Sequence, residues 1–374
     1  MSKKNNLRGV KMRIEDVDKN MYIGSNVNAE NTDFYLATDK SFEFFGCCQY
    51  GVDGQLAHRI PPTIAENISP QLAWLNKTHS GVRIAFSTSS PFVSFLVEAS
   101  GFGRTIDDAV SGAMGIFVTA AEEGKEQKYI SRISPTFEEI YKEMSGEGAR
   151  FSGTINLGEN KTRQVIVWLP TLTDYKKLYI GVKKSFEIGP FAGYKYKTPV
   201  VFYGSSITMG CGSSAPVNTY PALVSRTLNT DFINLGFSGN AKGEPEIAEY
   251  IADLEMSAFV YDYDYNAPTV QHLEETHEKF FKIIREKQPN LPIIMMSRPN
   301  LPDNLDTAKR FNVIMNTFIN AKKSGDNKVW LINGANIFDG VYRECCTHEN
   351  CHPNDLGYMK MAEAVSALLK EYLR

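Results

Sequence analysis

Ser206, Gly239, Asn266, His352 and Glu349 have the residue types that acyl transfer at an ester carbonyl requires. Ser206 stands in Gly204-Ser205-Ser206-Ile207, directly after the apolar run Val200-Val201-Phe202. A serine hydroxyl is a weak nucleophile until an imidazole takes its proton, and the imidazole needs a carboxylate or carbonyl to fix its tautomer. His352, in the polar loop before the last helix, is the candidate base, and Glu349 is close enough in sequence to reach back to its ring. Gly239, in Asn234-Leu235-Gly236-Phe237-Ser238-Gly239-Asn240, offers a backbone N–H with no side chain in the way, and Asn266 offers an amide. Both are candidate oxyanion donors. Each stretch also has a plainer reading: a hydroxyl-capped strand-to-helix turn at Ser206, a glycine turn at Gly239, an Asx turn before Pro268, and a surface loop at His352. It is the set, in chain order, that points to chemistry.

The elements that must position these groups are legible from about residue 197. Apolar runs at Val200–Phe202, Phe232–Leu235, Ala258–Tyr261, Ile293–Met296 and Val329–Ile332 alternate with amphipathic segments. They read as five parallel strands in a three-layer α/β/α domain over 197–374. Ligands of such sheets bind at the strands' carboxyl ends, where Ser206, Gly239 and Asn266 fall. In one intervening helix Leu273, His277, Phe280, Phe281 and Ile284 share a face. His277 is therefore expected as a half-buried helix residue, not a catalyst. The last helix should begin at Asn354 or Asp355 and turn Leu356, Met359, Ala362, Val365 and Leu369 towards the sheet.

Residues 30–192 carry short alternating runs divided by turn residues, the pattern of an all-β, jelly-roll-like sandwich, preceded by an N-terminal extension over 1–29. Val82–Ser87 and Phe92–Val97 read as a hairpin around Ser89-Ser90-Pro91. Further strands are expected over 115–120, 128–130, 163–169 and 177–182.

Composition excludes several classes. With 40 Lys and Arg against 43 Asp and Glu, a net charge of −3 argues against nucleic acid as a partner. No apolar run has the length of a membrane span, and the polar start is followed by no signal-like apolar stretch, so a cytoplasmic protein with no membrane partner is expected. Six cysteines are too few and too unevenly spaced for a disulfide framework, and read as reduced thiols. The cluster Cys345-Cys346-Thr347-His348-Glu349-Asn350-Cys351-His352 contains zinc-ligand types, but its spacing matches no common finger or ribbon. No metal and no cofactor is expected.

The four stretches resemble the blocks of the SGNH (GDSL-type) hydrolase superfamily: Gly204-Ser205-Ser206-Ile207, Gly239, Asn266, and His352 followed by Pro353-Asn354-Asp355-Leu356-Gly357. The branch most similar is bacterial and has a β-sandwich module ahead of the hydrolase domain. The resemblance implies Ser206 as nucleophile, His352 as general base and acid, and Ser206 N–H, Gly239 and Asn266 as the oxyanion hole. Members normally have Asp where this chain has Glu349, and the sandwich motif Gly-x-Asp-Leu-Tyr is replaced by Gly115-Ile116-Phe117-Val118-Thr119. The implied function is a serine esterase removing a small acyl group, acetyl first, from a carbohydrate ester, the partner being a small-molecule or oligosaccharide ester substrate. The alternatives are a catalytically impaired carbohydrate-binding protein of the same fold, and an esterase or lipase acting on a non-sugar ester.

Overall fold

The computed structural model describes residues 27–103, 108–144, 149–299, 304–340 and 342–373. The extension expected over 1–29 lies outside the described residues except for its last three. A five-stranded parallel sheet occupies the C-terminal half, in the spatial order Thr230–Gly236, Tyr196–Gly204, Ala258–Asp262, Ile293–Met296, Val329–Ile332. Side chains alternate across it. Val201, Tyr203, Phe259, Tyr261, Ile293 and Met295 pack under Pro245–Ala252, Val270–Lys287 and Leu305–Lys323. Val200, Phe202, Val260, Ile294 and Met296 pack under Tyr220–Leu228 and Asp355–Leu369. Both faces are thus covered, as parallel strands require. No described helix is long and apolar enough to cross a membrane.

The helices start where the sequence supplies a cap: the side chains of Thr269, Asn304 and Asn354 accept first-turn N–H groups. His277 is not half-buried but fully buried, its Nδ1 2.9 Å from Thr317 Oγ1 and its ring stacked on Tyr261. In the last helix the expected stripe is out of phase at its start. Leu356 and Met359 are exposed, and Tyr358, Met361, Ala362, Val365 and Leu369 face inward. The Asn354 cap sets that phase, because Gly357 is pressed against Cys346 O and Tyr358 OH donates to Cys211 O at 2.6 Å.

The N-terminal half is two antiparallel sheets face to face. One is Thr32–Leu36, Thr173–Lys183, Phe92–Phe102, Ala149–Asn156; the other is Ile188–Gly189, Arg83–Thr88, Arg163–Trp168, Ile116–Ala121, Lys128–Ile133, with Glu43–Phe45 also paired to Arg83–Thr88, and a separate two-stranded sheet joins Gln49–Val52 to Gln55–His58. The expected hairpin is corrected here: Arg83–Thr88 pairs with Arg163–Trp168, whereas Phe92–Phe102 pairs with Thr173–Lys183 and Ala149–Asn156. The chain crosses between sheets at Ser90, whose hydroxyl donates to Phe92 O and accepts from Lys183 N–H. Ile84, Phe86, Val93, Phe95 and Val97 therefore meet in the sandwich core instead of side by side.

Arg83–Thr88 and Ile116–Ala121 are buried at every position, because the second sheet's outer face is also covered. Ala85, Phe117, Ile166 and Trp168 share a core with Phe202, Phe232 and Val260 of the parallel sheet. Two buried arginines complete this seam along the edge strand Thr230–Gly236. Arg83 donates to Phe232 O at 3.1 and 3.2 Å and pairs with Asp231, while Arg59 donates to Asn234 O at 3.2 Å and Gly236 O at 2.6 Å. The outward carbonyls of a free edge are thereby all occupied.

Arg83→Met should cost about 3–5 kcal/mol of stability, because it strands the Asp231 carboxylate and the Phe232 carbonyl in the seam. Equilibrium urea unfolding checks this, and a loss below about 1 kcal/mol would show that the pair contributes little to the seam.

Candidate active site

Tyr196–Gly204 runs into Ser205, whose hydroxyl accepts the Ile207 N–H at 3.2 Å and caps the one-turn helix Ser206–Met209. Gly210 closes the turn at φ 105°, a conformation strained for any residue with a side chain. The turn is packed tightly from below, since a Cβ on Gly204 would overlap the Asp262 carboxylate and the Thr208 hydroxyl. Ser206 is thereby held at the carboxyl end of the sheet.

Ser206 Oγ lies 2.8 Å from His352 Nε2, and His352 Nδ1 lies 2.5 Å from Glu349 Oε1. The His352 backbone N–H also donates to Glu349 Oε1, at 3.0 Å. With its proton on Nδ1 and facing the carboxylate, the imidazole presents Nε2 as an acceptor to the serine. Burial alone would raise the Glu349 carboxyl, but the two hydrogen bonds from His352 and the charge of its ring outweigh it and hold the carboxyl below the usual range.

The loops carrying the other two candidates are tied to this centre. Phe237 N–H donates to Gly204 O at 2.9 Å, and Asn266 Nδ2 donates to Phe237 O at 3.0 Å. One proton of the Asn266 amide is used in this way, and the amide has a second. Gly239 is exposed at φ 68°, with no atom within 4 Å of where a Cβ would stand, so the glycine answers a backbone requirement and not a lack of space.

Several positioning groups carry no signal in the sequence. The His352 loop is clasped by a bridge between Thr347 and Pro353 and by His348, whose Nε2 lies 2.7 Å from Gly212 O. Arg298, just past the strand Ile293–Met296, donates to Asn350 O at 2.8 Å and stacks 3.7 Å from the centre of the Tyr265 ring, beside Asn266. Asn350 itself has φ 62° between Glu349 and His352. The β-rich module reaches the same region: Asp108 accepts from Gly212 N–H at 2.8 Å and Ser111 Oγ donates to Ser214 O at 2.8 Å.

Two buried acids lie at the end of the strand Ala258–Asp262. Asp262 accepts from the Thr208 hydroxyl and from Tyr220 OH, and burial drives its carboxyl well above the ordinary range. Asp264 accepts the Arg298 N–H at 3.2 Å, and burial pushes it up to about 6 against the pull of that bond and of the Arg298 and Arg310 charges.

All six cysteines are free thiols. Glu349, Cys351 and His352 bring a carboxylate oxygen, a sulfur and a ring nitrogen within 4.8 Å of one another. By type they fit a metal ion, yet both His352 nitrogens already have partners in Ser206 and Glu349, and burial raises the Cys351 thiol, disfavouring the thiolate a metal needs.

A serine, an imidazole and a carboxylate in one hydrogen-bonded line, at the strand ends of a three-layer α/β domain, define the class of serine-dependent hydrolase folds. Residues 197–370 match the GDSL-like Lipase/Acylhydrolase family, and a β-rich module stands ahead of the matched segment. The structure of a GDSL-like lipase from Bacteroides ovatus ATCC 8483 is 24% identical with a TM-score of 0.79, covering 92% of this chain and 98% of that one. The salicylyl-acyltransferase SsfX3 of a tetracycline biosynthetic pathway is 21% identical with a TM-score of 0.74, covering 92% and 99%. A family two carbohydrate esterase from Clostridium thermocellum is 13% identical with a TM-score of 0.58, covering 79% and 93%. At these identities the likeness is one of fold. Among curated proteins none matches the chain.

The raised Asp264 carboxyl has a consequence for stability. The folded chain holds that proton up to pH of about 6 while the unfolded chain releases it near 3.8, so its contribution falls as pH rises through this window and stays low above it. Relative to Asp264→Asn, the wild type should lose up to about 3 kcal/mol between these pH values. Urea unfolding of both proteins across the window checks the sign; a difference that is flat or grows with pH contradicts it.

Proposed function

We propose that the protein is a serine esterase that removes a small acyl group, acetyl first, from a carbohydrate ester. The observation that carries the reading is the line Ser206 Oγ to His352 Nε2 at 2.8 Å and His352 Nδ1 to Glu349 Oε1 at 2.5 Å. Ser206 attacks the ester carbonyl as its proton passes to Nε2. The imidazolium that forms is held by the Glu349 carboxylate. The carbonyl oxygen becomes an oxyanion, received by the N–H groups of Ser206 and Gly239 and the Asn266 amide. His352 returns the proton to the departing alcohol, then activates the water that frees Ser206. Glu349 stands where Asp is usual, and its contact with the His352 ring supports an active enzyme over a catalytically impaired binding protein. The carbohydrate assignment draws on the β-rich module and on the fold shared with a carbohydrate esterase from Clostridium thermocellum and with the acetyl xylan esterase Est2A from Butyrivibrio proteoclasticus.

A second reading, acyl transfer to an alcohol other than water, is favoured by the fold shared with the salicylyl-acyltransferase SsfX3. Both readings pass through the same acyl-enzyme and divide only on the acceptor. Product analysis with and without an added alcohol separates them: free acid alone supports hydrolysis, and a new ester supports transfer.

Wild type should hydrolyse 4-nitrophenyl acetate faster than the butyrate and longer esters, unchanged by a chelator, and folded Ser206→Ala should not. Preference for chains longer than butyryl overturns the acetyl assignment; turnover surviving the substitution or abolished by chelation overturns the mechanism.

Asn266→Ala should lower kcat by about 100-fold or more, the cost of one lost oxyanion donor, with KM little changed. Glu349→Gln should lower kcat by up to about 10,000-fold through the wrong tautomer. Near-normal turnover of either folded variant removes that residue from its role.

A further inference from the structure

Arg59 lies in the β-rich module, one residue past the strand Gln55–His58, and is 0% exposed. Every N–H of its guanidinium is directed at a carbonyl or hydroxyl oxygen. Nε donates to Thr78 O at 3.1 Å, Nη2 to Leu75 O at 2.7 Å and Thr78 Oγ1 at 3.4 Å, and Nη1 to Asn234 O at 3.2 Å and Gly236 O at 2.6 Å. Among the described residues no carboxylate pairs with it. A buried cation without a counter-charge is costly. Donating to the buried carbonyls of the seam is one reason for an arginine here, and its cost calls for a second.

What the guanidinium touches supplies one. Asn234 and Gly236 are the last outward residues of the edge strand, and the loop to Gly239 begins at the next position. The Asn234 side chain donates to Thr208 O at 2.8 Å, inside the nucleophile turn, and accepts the Gly236 N–H at 2.8 Å. Phe237, which lies under the guanidinium at 4.3 Å, donates to Gly204 O and accepts from Asn266. Arg59 is thus one bond from the root of the Gly239 loop and two from both Asn266 and the helix that starts at Ser206.

We propose that Arg59 is the positioning residue of the oxyanion loop: its fork fixes the carbonyls of Asn234 and Gly236, so that the Gly239 N–H and the Asn266 amide converge on one point. Its charge, fully buried beside that loop, also favours negative charge developing above it. The β-rich module is then part of the catalytic apparatus. This inference rests on the esterase reading given above.

The test compares wild type, Arg59→Lys, Arg59→Met and Ser206→Ala, each confirmed folded by circular dichroism and gel filtration. It reads kcat and KM for 4-nitrophenyl acetate and hydrogen exchange in peptides spanning 236–241. A misplacement of about 1 Å costs about 100-fold in rate, so kcat of Arg59→Met should fall about 10- to 100-fold with KM within about 3-fold. Arg59→Lys should fall between it and wild type, and peptides over 236–241 should exchange faster in both. A folded Arg59→Met with lower thermal stability but wild-type kcat and exchange would reduce Arg59 to a structural residue and overturn the proposal. If Arg59→Met does not fold, Arg59→Lys decides: slower turnover with faster exchange supports the proposal, and wild-type values for both overturn it. If wild type shows no Ser206-dependent turnover, the esterase reading fails, and exchange alone decides the positioning claim in the same way.

Discussion

The rest of the molecule depends on how the edge strand Thr230–Gly236 is satisfied. Edge strands present unpaired carbonyls, and this one does so at Phe232, Asn234 and Gly236. Water cannot serve them, because Phe232 and Asn234 are 0% exposed. Arg83 and Arg59 of the β-rich module take their place, each guanidinium lying on a ring as well, Phe232 at 3.9 Å and Phe237 at 4.3 Å. The two halves share an apolar core and a polar seam, and the seam ends where the loop to Gly239 begins.

The opposite wall of the site is built on a different principle. The segment from Thr347 to Pro353 is a narrow loop closed on itself, with His348 N–H donating to His352 O at 3.0 Å. It is pinned from outside by His348 to the Gly212 carbonyl and by Arg298 to the Asn350 carbonyl. A left-handed residue inside the loop is costly, and such conformations persist where the surroundings over-determine them. Here those surroundings bring one Glu349 oxygen to both N–H groups of His352, so the extra methylene relative to Asp is absorbed without loss of contact.

What could be read from the sequence follows from what has a period. The five parallel strands announce themselves as apolar runs because both faces are buried, and the residues just past them fall at the sheet's carboxyl edge by topology. The same logic misassigned Val82–Ser87 and Phe92–Val97, since two buried runs joined by a short turn look alike whether they pair or cross between sheets. Ala149–Asn156 alternates cleanly between buried and exposed, yet it begins with Ala149-Arg150, a weak strand signal, and was not anticipated. The phase of the last helix was missed because Leu356 and Met359 are apolar but exposed. Arg59 and Arg298 were invisible for a different reason. A single arginine in a mixed stretch carries no period, and the partners of Arg59 are backbone carbonyls as far as 177 residues away. Spacing can suggest which groups could react; the groups that aim them act through the backbone, which leaves no mark in the residue types.

The central claim is that Ser206 becomes acylated. The most direct measurement is rapid mixing with 4-nitrophenyl acetate, acid quenching, and peptide mapping by mass spectrometry. The account predicts a burst of nitrophenolate equal to the enzyme present and one acetyl group on the peptide at Ser206. An acetyl group on another residue, or steady turnover with no acyl-enzyme in wild type and in a variant with slowed deacylation, would contradict it.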